Sequence, residues 1–370
     1  MRILFLSLTS FRNYESLAFE PKEGLNVLVG RNAQGKSAIL EAVYLLATSK
    51  SHRTSRDMDM VRLGDASARV LAEVGRSARN DLTLEIDLSR TEKKSVKINT
   101  VRHPKIGDVV GQLNAVIFSD SDIDMVRGEP SKRRRFLNLE ISQISPQYVF
   151  SLGRYKRVLD QRNNLLREIK MGHASSSGLE EWDSQLVQYG STVTAKRAEF
   201  VRFLAGVAAE VYGTLTEEAE TFSVSYKPNV GAGDMTEQDI AKDFAETLAA
   251  KRELDLSRGT THTGPHRDDL SISVNDLAAR EFASQGQQRT AAIALKLAEI
   301  DLVREASGES PVVLLDDIMA ELDETRRRRI FESTEGCQTL ITTTHLSDLS
   351  PSVLEKAAVF EVEAGRVSAK

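Results

Sequence analysis

The chain has 370 residues, 41% hydrophobic and 28% charged, with 49 basic against 54 acidic side chains and a net charge of −5. That length exceeds one average domain and predicts two lobes or one domain with an insertion. No apolar run approaches the roughly 18 residues of a membrane-spanning helix, and Cys337, the single cysteine, excludes an internal disulfide or a cysteine-based zinc site. The charge total leaves nucleic-acid binding open, because phosphate contacts depend on local patches.

Residues 1–8 (MRILFLSL) lack the long apolar stretch and small-residue cleavage site of a signal peptide and read as a first strand, so a cytoplasmic address without a membrane partner is expected. Residues 24–30 are β-rich, 31–36 form a polar loop and 37–47 a helical run. Gly30, Arg31, Asn32, Ala33, Gln34, Gly35, Lys36 and Ser37 fit G-x-x-x-x-G-K-[ST] between that strand and helix, which predicts a phosphate-cradling P-loop. Glycines let backbone N–H groups and the helix N-terminus face the phosphates of ATP. Lys36 would reach the β and γ phosphates, and the Ser37 hydroxyl would ligate Mg²⁺.

Segments 68–74, 81–88 and 95–99 alternate apolar and polar residues like antiparallel strands, and 113–118 (LNAVIF) reads as another strand, together suiting a mixed sheet. From about residue 129 the period becomes helical: Leu152, Tyr155, Leu159 and Leu166, then Leu179, Trp182, Leu186, Tyr189, Val193 and Phe200. This predicts a helical hairpin turning at 171–178 (MGHASSSG), an arm of ~38 Å for ~25 residues at 1.5 Å each. After a further helical stretch at 239–254, strand patterning resumes at 270–274, then helix, buried strand, helix and strand. The chain therefore divides into a head from residues 1–124 and 256–370, with a helical insertion at 125–255.

Ser284, Gln285, Gly286 and Gln287 precede a long apolar-periodic helix at 290–305; a helix start of this kind is an anion site or an ordinary N-cap. Residues 311–315 (PVVLL) form an apolar strand ending in Asp316 and Asp317, at the sheet edge where ligands bind. Asp316 is expected to meet Mg²⁺, directly or through water, and Asp317 to orient or deprotonate the attacking water. Arg133, Arg134 and Arg135, with Arg154, Arg157 and Arg162 beyond them, concentrate positive charge at the base of the arm and are candidates for DNA phosphates, against a solvated helix face. A second basic run, 326–329, is expected to face acids such as Glu324 and Glu332. His262, His266 and Asp268 lack helical metal-ligand spacing and are expected to be structural.

GRNAQGKS, SHRTSRD, ISQISPQY, TGPHRDDL, ASQGQQRT and LLDDIMAELD together resemble the RecF family over nearly the whole chain. That resemblance implies an α/β fold: an ABC-type P-loop ATPase head with an inserted, mainly helical arm, related to SMC heads without their long coiled coil. It implies a weak, DNA-stimulated ATPase that forms an ATP-dependent homodimer, in which Ser284–Gln287 of one copy meet the nucleotide of the other. It further implies duplex or gapped DNA as target, RecR as partner, and a functional link to RecO and RecA in recombinational repair. It places Arg12 and Asn13 near the nucleotide, Glu321, Leu322 and Asp323 in a loop crossing the dimer interface, and His345 where a γ-phosphate-sensing histidine would stand. Turn chemistry is the alternative for the first two groups and a strand-end cap for His345. The chain departs from the pattern after Phe118, where Ser119, Asp120 and Ser121 replace an expected glutamine and a proline near 120 is lacking. A transporter's ATPase subunit or a small-molecule kinase would share the P-loop, but the first would lack a helical arm of this size and the second would not need the Ser284–Gln287 helix start.

Overall fold

Alternation in the first strand sets the architecture: β1 (Arg2–Phe11) turns Leu6, Leu8 and Phe11 inward. A computed structural model describes residues 1–232 and 234–370. They form two units, residues 1–122 with 292–370, and residues 123–291.

In the first unit, β1 pairs with β2 (Tyr14–Phe19) and β4 (Ser67–Gly75), and the antiparallel sheet continues through β5 (Leu82–Ser89), β6 (Ser95–Ile98) and β7 (Val101–His103), where β3 is Leu25–Val29 of the other sheet. That second sheet has the order β15-β14-β3-β13-β12-β8, with β8 Ala115–Phe118, β12 Val312–Asp316, β13 Thr339–Thr343, β14 Ala358–Glu363 and β15 Arg366–Ala369. Only its β14–β15 pair is antiparallel. The strands expected to share one mixed sheet thus fall into two, and the helix Lys36–Thr48 packs against both. Every residue of that helix except Ser37 is buried. A helix buried on nearly every side belongs in a core, and each buried leucine or isoleucine contributes about 1.5–3 kcal/mol.

In the second unit, the helices Pro146–Lys170 and Leu179–Leu215 form the expected hairpin. Ser145 caps the first, accepting the Tyr148 N–H at 3.2 Å with Pro146 at the first helical position. β9 (Phe222–Lys227), β10 (Asp269–Val274) and β11 (Leu277–Ala278) make a three-stranded sheet of this unit. Residues 256–291, expected with the head, therefore group with the arm: β10 pairs along its whole length with β9, a strand that lay unrecognised between helical segments.

Candidate active site

β3, β13, β12 and β8 run parallel, with Val29 opposite Thr343, Thr342 opposite Asp316, and Leu315 opposite Phe118. Their carboxyl ends therefore gather the 30–37 loop, the acidic pair, the approach to His345, and Ser119 along one edge.

The loop depends on its glycines. A Cβ on Gly30 would stand 2.2 Å from the Val362 carbonyl oxygen, and one on Gly35, at φ +115°, would stand 2.6 Å from Tyr14 Oη. Asn13 Nδ2 donates to the Gln34 carbonyl at 3.0 Å, and Gln34 Oε1 accepts the Ala364 N–H at 2.6 Å. The Gln34 side chain thus anchors the loop to the β14–β15 turn. Lys36 is 4% exposed and its Nζ donates to the carbonyls of Gly30 (2.7 Å) and Arg31 (3.0 Å). Burial pushes its pKa down, opposed by Asp317 and Asp316. Arg12 lines the same cavity, but its guanidinium is bidentate on the fully buried Glu41 (2.7 and 2.5 Å) and donates to the Asp59 carbonyl at 2.7 Å. It braces the wall.

Asp316 Oδ1 accepts Thr342 Oγ1–H at 2.9 Å, and its Oδ2 lies 3.5 Å from His52 Nε2. Burial would raise this carboxyl, but His52, Ser37 and Thr342 together hold it below the usual aspartate range. Asp317 stands at φ +58° with its N–H on Thr342 Oγ1 at 2.9 Å. Its carboxyl is raised by burial, against Lys36, with Asp316 and Asp348 adding to the rise. Two adjacent acids are thus driven apart: one stays ionised, the other is made more basic. The Ser37 hydroxyl and Asp316 carboxylate are the hard oxygen donors Mg²⁺ takes, with phosphate oxygens and water completing its shell; the donor set fits.

The cavity, about 610 Å³, is lined by Asn13, Asn32, Ala33, Gly35, Lys36, Ser37 and Asp317, and also by Arg53 and Arg90, which sequence reasoning missed. Ser51 Oγ bonds Glu41 and accepts the N–H groups of Arg53 (2.9 Å) and Thr54 (3.0 Å), doubling the chain back along the P-loop helix. Among the described residues, the Arg53 guanidinium has no hydrogen-bond or ion-pair partner. The signal was present in SHRTSRD, a polar run directly after a buried helix. Where glutamine was expected, Asp122 Oδ2 accepts the Ser119 N–H at 2.7 Å, and burial pushes this carboxyl up to about 6 despite Lys296 and His52.

His345 is exposed and its N–H lies 3.3 Å from Thr343 Oγ1, the strand-end capping alternative. Asp323 caps the helix Glu324–Ser333 by accepting the Arg326 N–H at 2.8 Å, so local turn chemistry is present there. Arg329 and Arg328 pair with Glu332 at 2.9 and 3.9 Å.

In the second unit, Ser284 and Gln287 form a reciprocal capping box: Gln287 N–H donates to Ser284 Oγ at 3.2 Å and Ser284 N–H to Gln287 Oε1 at 2.8 Å. Gln287 Nε2 also donates to Glu220 at 2.7 Å, while Ser284, Gln285 and Gly286 remain exposed. Arg133 needs correction as a DNA contact: it is 5% exposed and bidentate on Asp269 (2.6 and 2.9 Å). Arg162 is likewise buried, on Asp183 (2.6 Å) and Asp255 (2.7 Å). The helical spacing turns both inward. Arg135, Arg154 and Arg157 are exposed, and Arg154 lies 5.4 Å above the Phe150 ring. His262 bonds Asp255, His266 bonds Tyr155 and Thr261, and Asp268 bonds Arg197, all protein partners.

Comparison with known proteins agrees with this geometry. The pattern of the RecF/RecN/SMC N terminal domain family matches residues 2–367. The chain is 40% identical over 370 residues to the DNA replication and repair protein RecF of Shouchella clausii, covering 99% of each chain. The chain belongs to the RecF family. It is 42% identical over 372 residues to RecF of Synechocystis sp., covering 98% of this chain and 96% of that one. A solved structure described as the recombination mediator protein RecF-ATP in the RecFOR pathway superposes with a TM-score of 0.93 at 32% identity, covering 100% of this chain and 97% of that chain. No such similarity supports the transporter alternative. RecF-family membership bears out the α/β head with helical arm, and no described helix is long and apolar enough to cross a membrane.

Proposed function

We propose that the chain is an ATP-dependent DNA-binding protein of recombinational repair, in which nucleotide state sets residence time on DNA. The observation that carries this reading is the single strand edge holding a buried lysine, a serine hydroxyl and Asp317 around one cavity, with Asp316, its carboxyl shifted the opposite way, beside Asp317 at the end of the same strand. The loop N–H groups and Lys36 bind the triphosphate, Ser37 and Asp316 hold Mg²⁺, and Asp317 takes the proton of the attacking water. Held there, the metal would supply charge neutralisation to the triphosphate.

The exposed helix start, where Ser284 and Gln287 cap one another and Gln285 and Gly286 lie open to solvent, suits a phosphate of a nucleotide held by a second copy, so ATP binding closes a homodimer and hydrolysis opens it. Arg135, Arg154 and Arg157 remain the candidate contacts to duplex or gapped DNA. RecR and RecO as partners are supported by the RecFOR pathway named for the similar structure; RecA loading as outcome and a cytoplasmic location complete the reading. The test is electrophoretic shift of gapped duplex DNA with ATP, ADP or no nucleotide, titrated in salt. Tight binding with ATP alone is the expected result; equal affinity in all three states would refute the switch.

A further inference from the structure

The segment 261–269 is pinned far more heavily than a connecting loop requires. Gly264 sits at φ +127°, where a Cβ would stand 2.5 Å from Tyr155 Oη and 2.7 Å from the Phe244 ring. Arg197 Nη1 donates to the Pro265 carbonyl at 2.6 Å and to Asp268 at 2.7 Å. The Asp268 carboxylate also accepts the Tyr226 hydroxyl and, at 2.8 Å, the Asn229 N–H. His266 is held between Tyr155 Oη (2.6 Å) and the Thr261 carbonyl (3.0 Å). All of these groups lie in the second unit, and none is needed for ATP chemistry.

What this scaffold presents outward is Arg267, the one exposed residue of the segment. Its backbone N–H is tied to the Gly264 carbonyl at 2.9 Å, and among the described residues its guanidinium has no partner. Arg134 reaches the same turn from the helix Pro130–Ile144, donating to the Asp268 carbonyl at 2.8 Å. The two acids nearby are already committed, Asp268 to Arg197 and Asp269 to Arg133. Arg134 and Arg267 therefore remain without a carboxylate at ion-pair distance; burial and Arg197 disfavour the Arg134 charge, Asp269 and Asp268 oppose them, and Arg267 adds a smaller repulsion.

We propose that Arg267, with Arg134 behind it, is a preorganised contact for the phosphodiester backbone of DNA. The planar guanidinium fork matches phosphate oxygens, an anion relieves the repulsion between the two cations, and a pinned backbone leaves little freedom to lose on binding. A phosphate contact of this kind positions DNA without reading its sequence. The inference rests on the DNA-binding function proposed above and assigns that function a residue outside the basic runs read from the sequence.

The test is a salt titration of duplex DNA binding by the full chain with ATP, comparing wild type, Arg267→Ala and Arg267→Lys. Loss of one phosphate contact reduces the log–log salt slope by about 0.9 and the affinity by roughly three- to tenfold near physiological salt. Arg267→Lys, which keeps the charge, retains most of the slope. ATP affinity and melting temperature stay at wild-type values in both variants, since the Arg267 side chain makes no described contact and its backbone bond to Gly264 is kept. A wild-type slope and affinity in Arg267→Ala overturn this inference and leave the DNA-binding reading intact. A wild-type chain that binds no DNA in any nucleotide state overturns both.

Discussion

Thr342 joins the two acids of the site: its Oγ1 donates to Asp316 Oδ1 at 2.9 Å and accepts the backbone N–H of Asp317 at 2.9 Å. Thr342→Val keeps the shape and removes both bonds, leaving a mostly buried carboxylate short of a donor. The expected cost is about 1–3 kcal/mol of stability, with slower ATP hydrolysis. Chemical denaturation and phosphate release measure the two effects; a variant equal to wild type in both would show that Thr342 does not position the pair.

Lys36 and Asp317 separate binding from turnover. Lys36→Met is expected to abolish ATP binding, because the ammonium that reaches the phosphates is gone. Asp317→Asn keeps ATP binding and lowers hydrolysis by roughly two orders of magnitude. The same change carries a stability signature. Burial raises the Asp317 carboxyl, with Lys36 opposing and Asp316 and Asp348 reinforcing the rise. A carboxyl with a raised folded-state pKa holds its proton more tightly folded than unfolded, so stability is lost as pH rises through that window and the loss persists at neutral pH. Asp317→Asn should therefore melt higher than wild type at pH 7, with the gain fading in acid. Melting curves across pH test the sign.

His266 gives the opposite slope. Burial lowers its pKa from 6.5 to about 4, and its Nε2–H donates to the Thr261 carbonyl while Nδ1 accepts from Tyr155. Between those values the unfolded chain takes up a proton that the fold refuses, so stability falls as pH drops from about 6.5 towards 4, by about 3 kcal/mol at most. Denaturant titrations of wild type and His266→Gln should show that part of the acid slope disappearing in the variant.

Much of the head was legible because its signals are local. The glycines and Lys36 of one loop, the apolar run before Asp316 and the strand–helix alternation each declare themselves within about a dozen residues. The arm's hairpin was legible through helical periodicity, which Leu152 to Leu166 and Leu186 to Phe200 sustain. Burial of Arg133 and Arg162 was not, since a basic run reads as solvated until the partners Asp269 and Asp255, far along the chain, are in place. β9 was missed for the same reason: six residues of strand pattern gain meaning only when β10 pairs with them. Arg53 enters the nucleotide cavity because Ser51 and Glu41 reverse the chain, a contact spanning ten residues.

The central claim is that ATP joins two copies through the Lys36 loop of one and the Ser284 helix start of the other. Sedimentation velocity of Asp317→Asn, with ATP, with ADP and with ATP after adding Ser284→Arg, tests it most directly. The account predicts dimer with ATP alone and monomer in the other two samples. Monomer throughout, or a dimer indifferent to nucleotide and to Ser284, would contradict it.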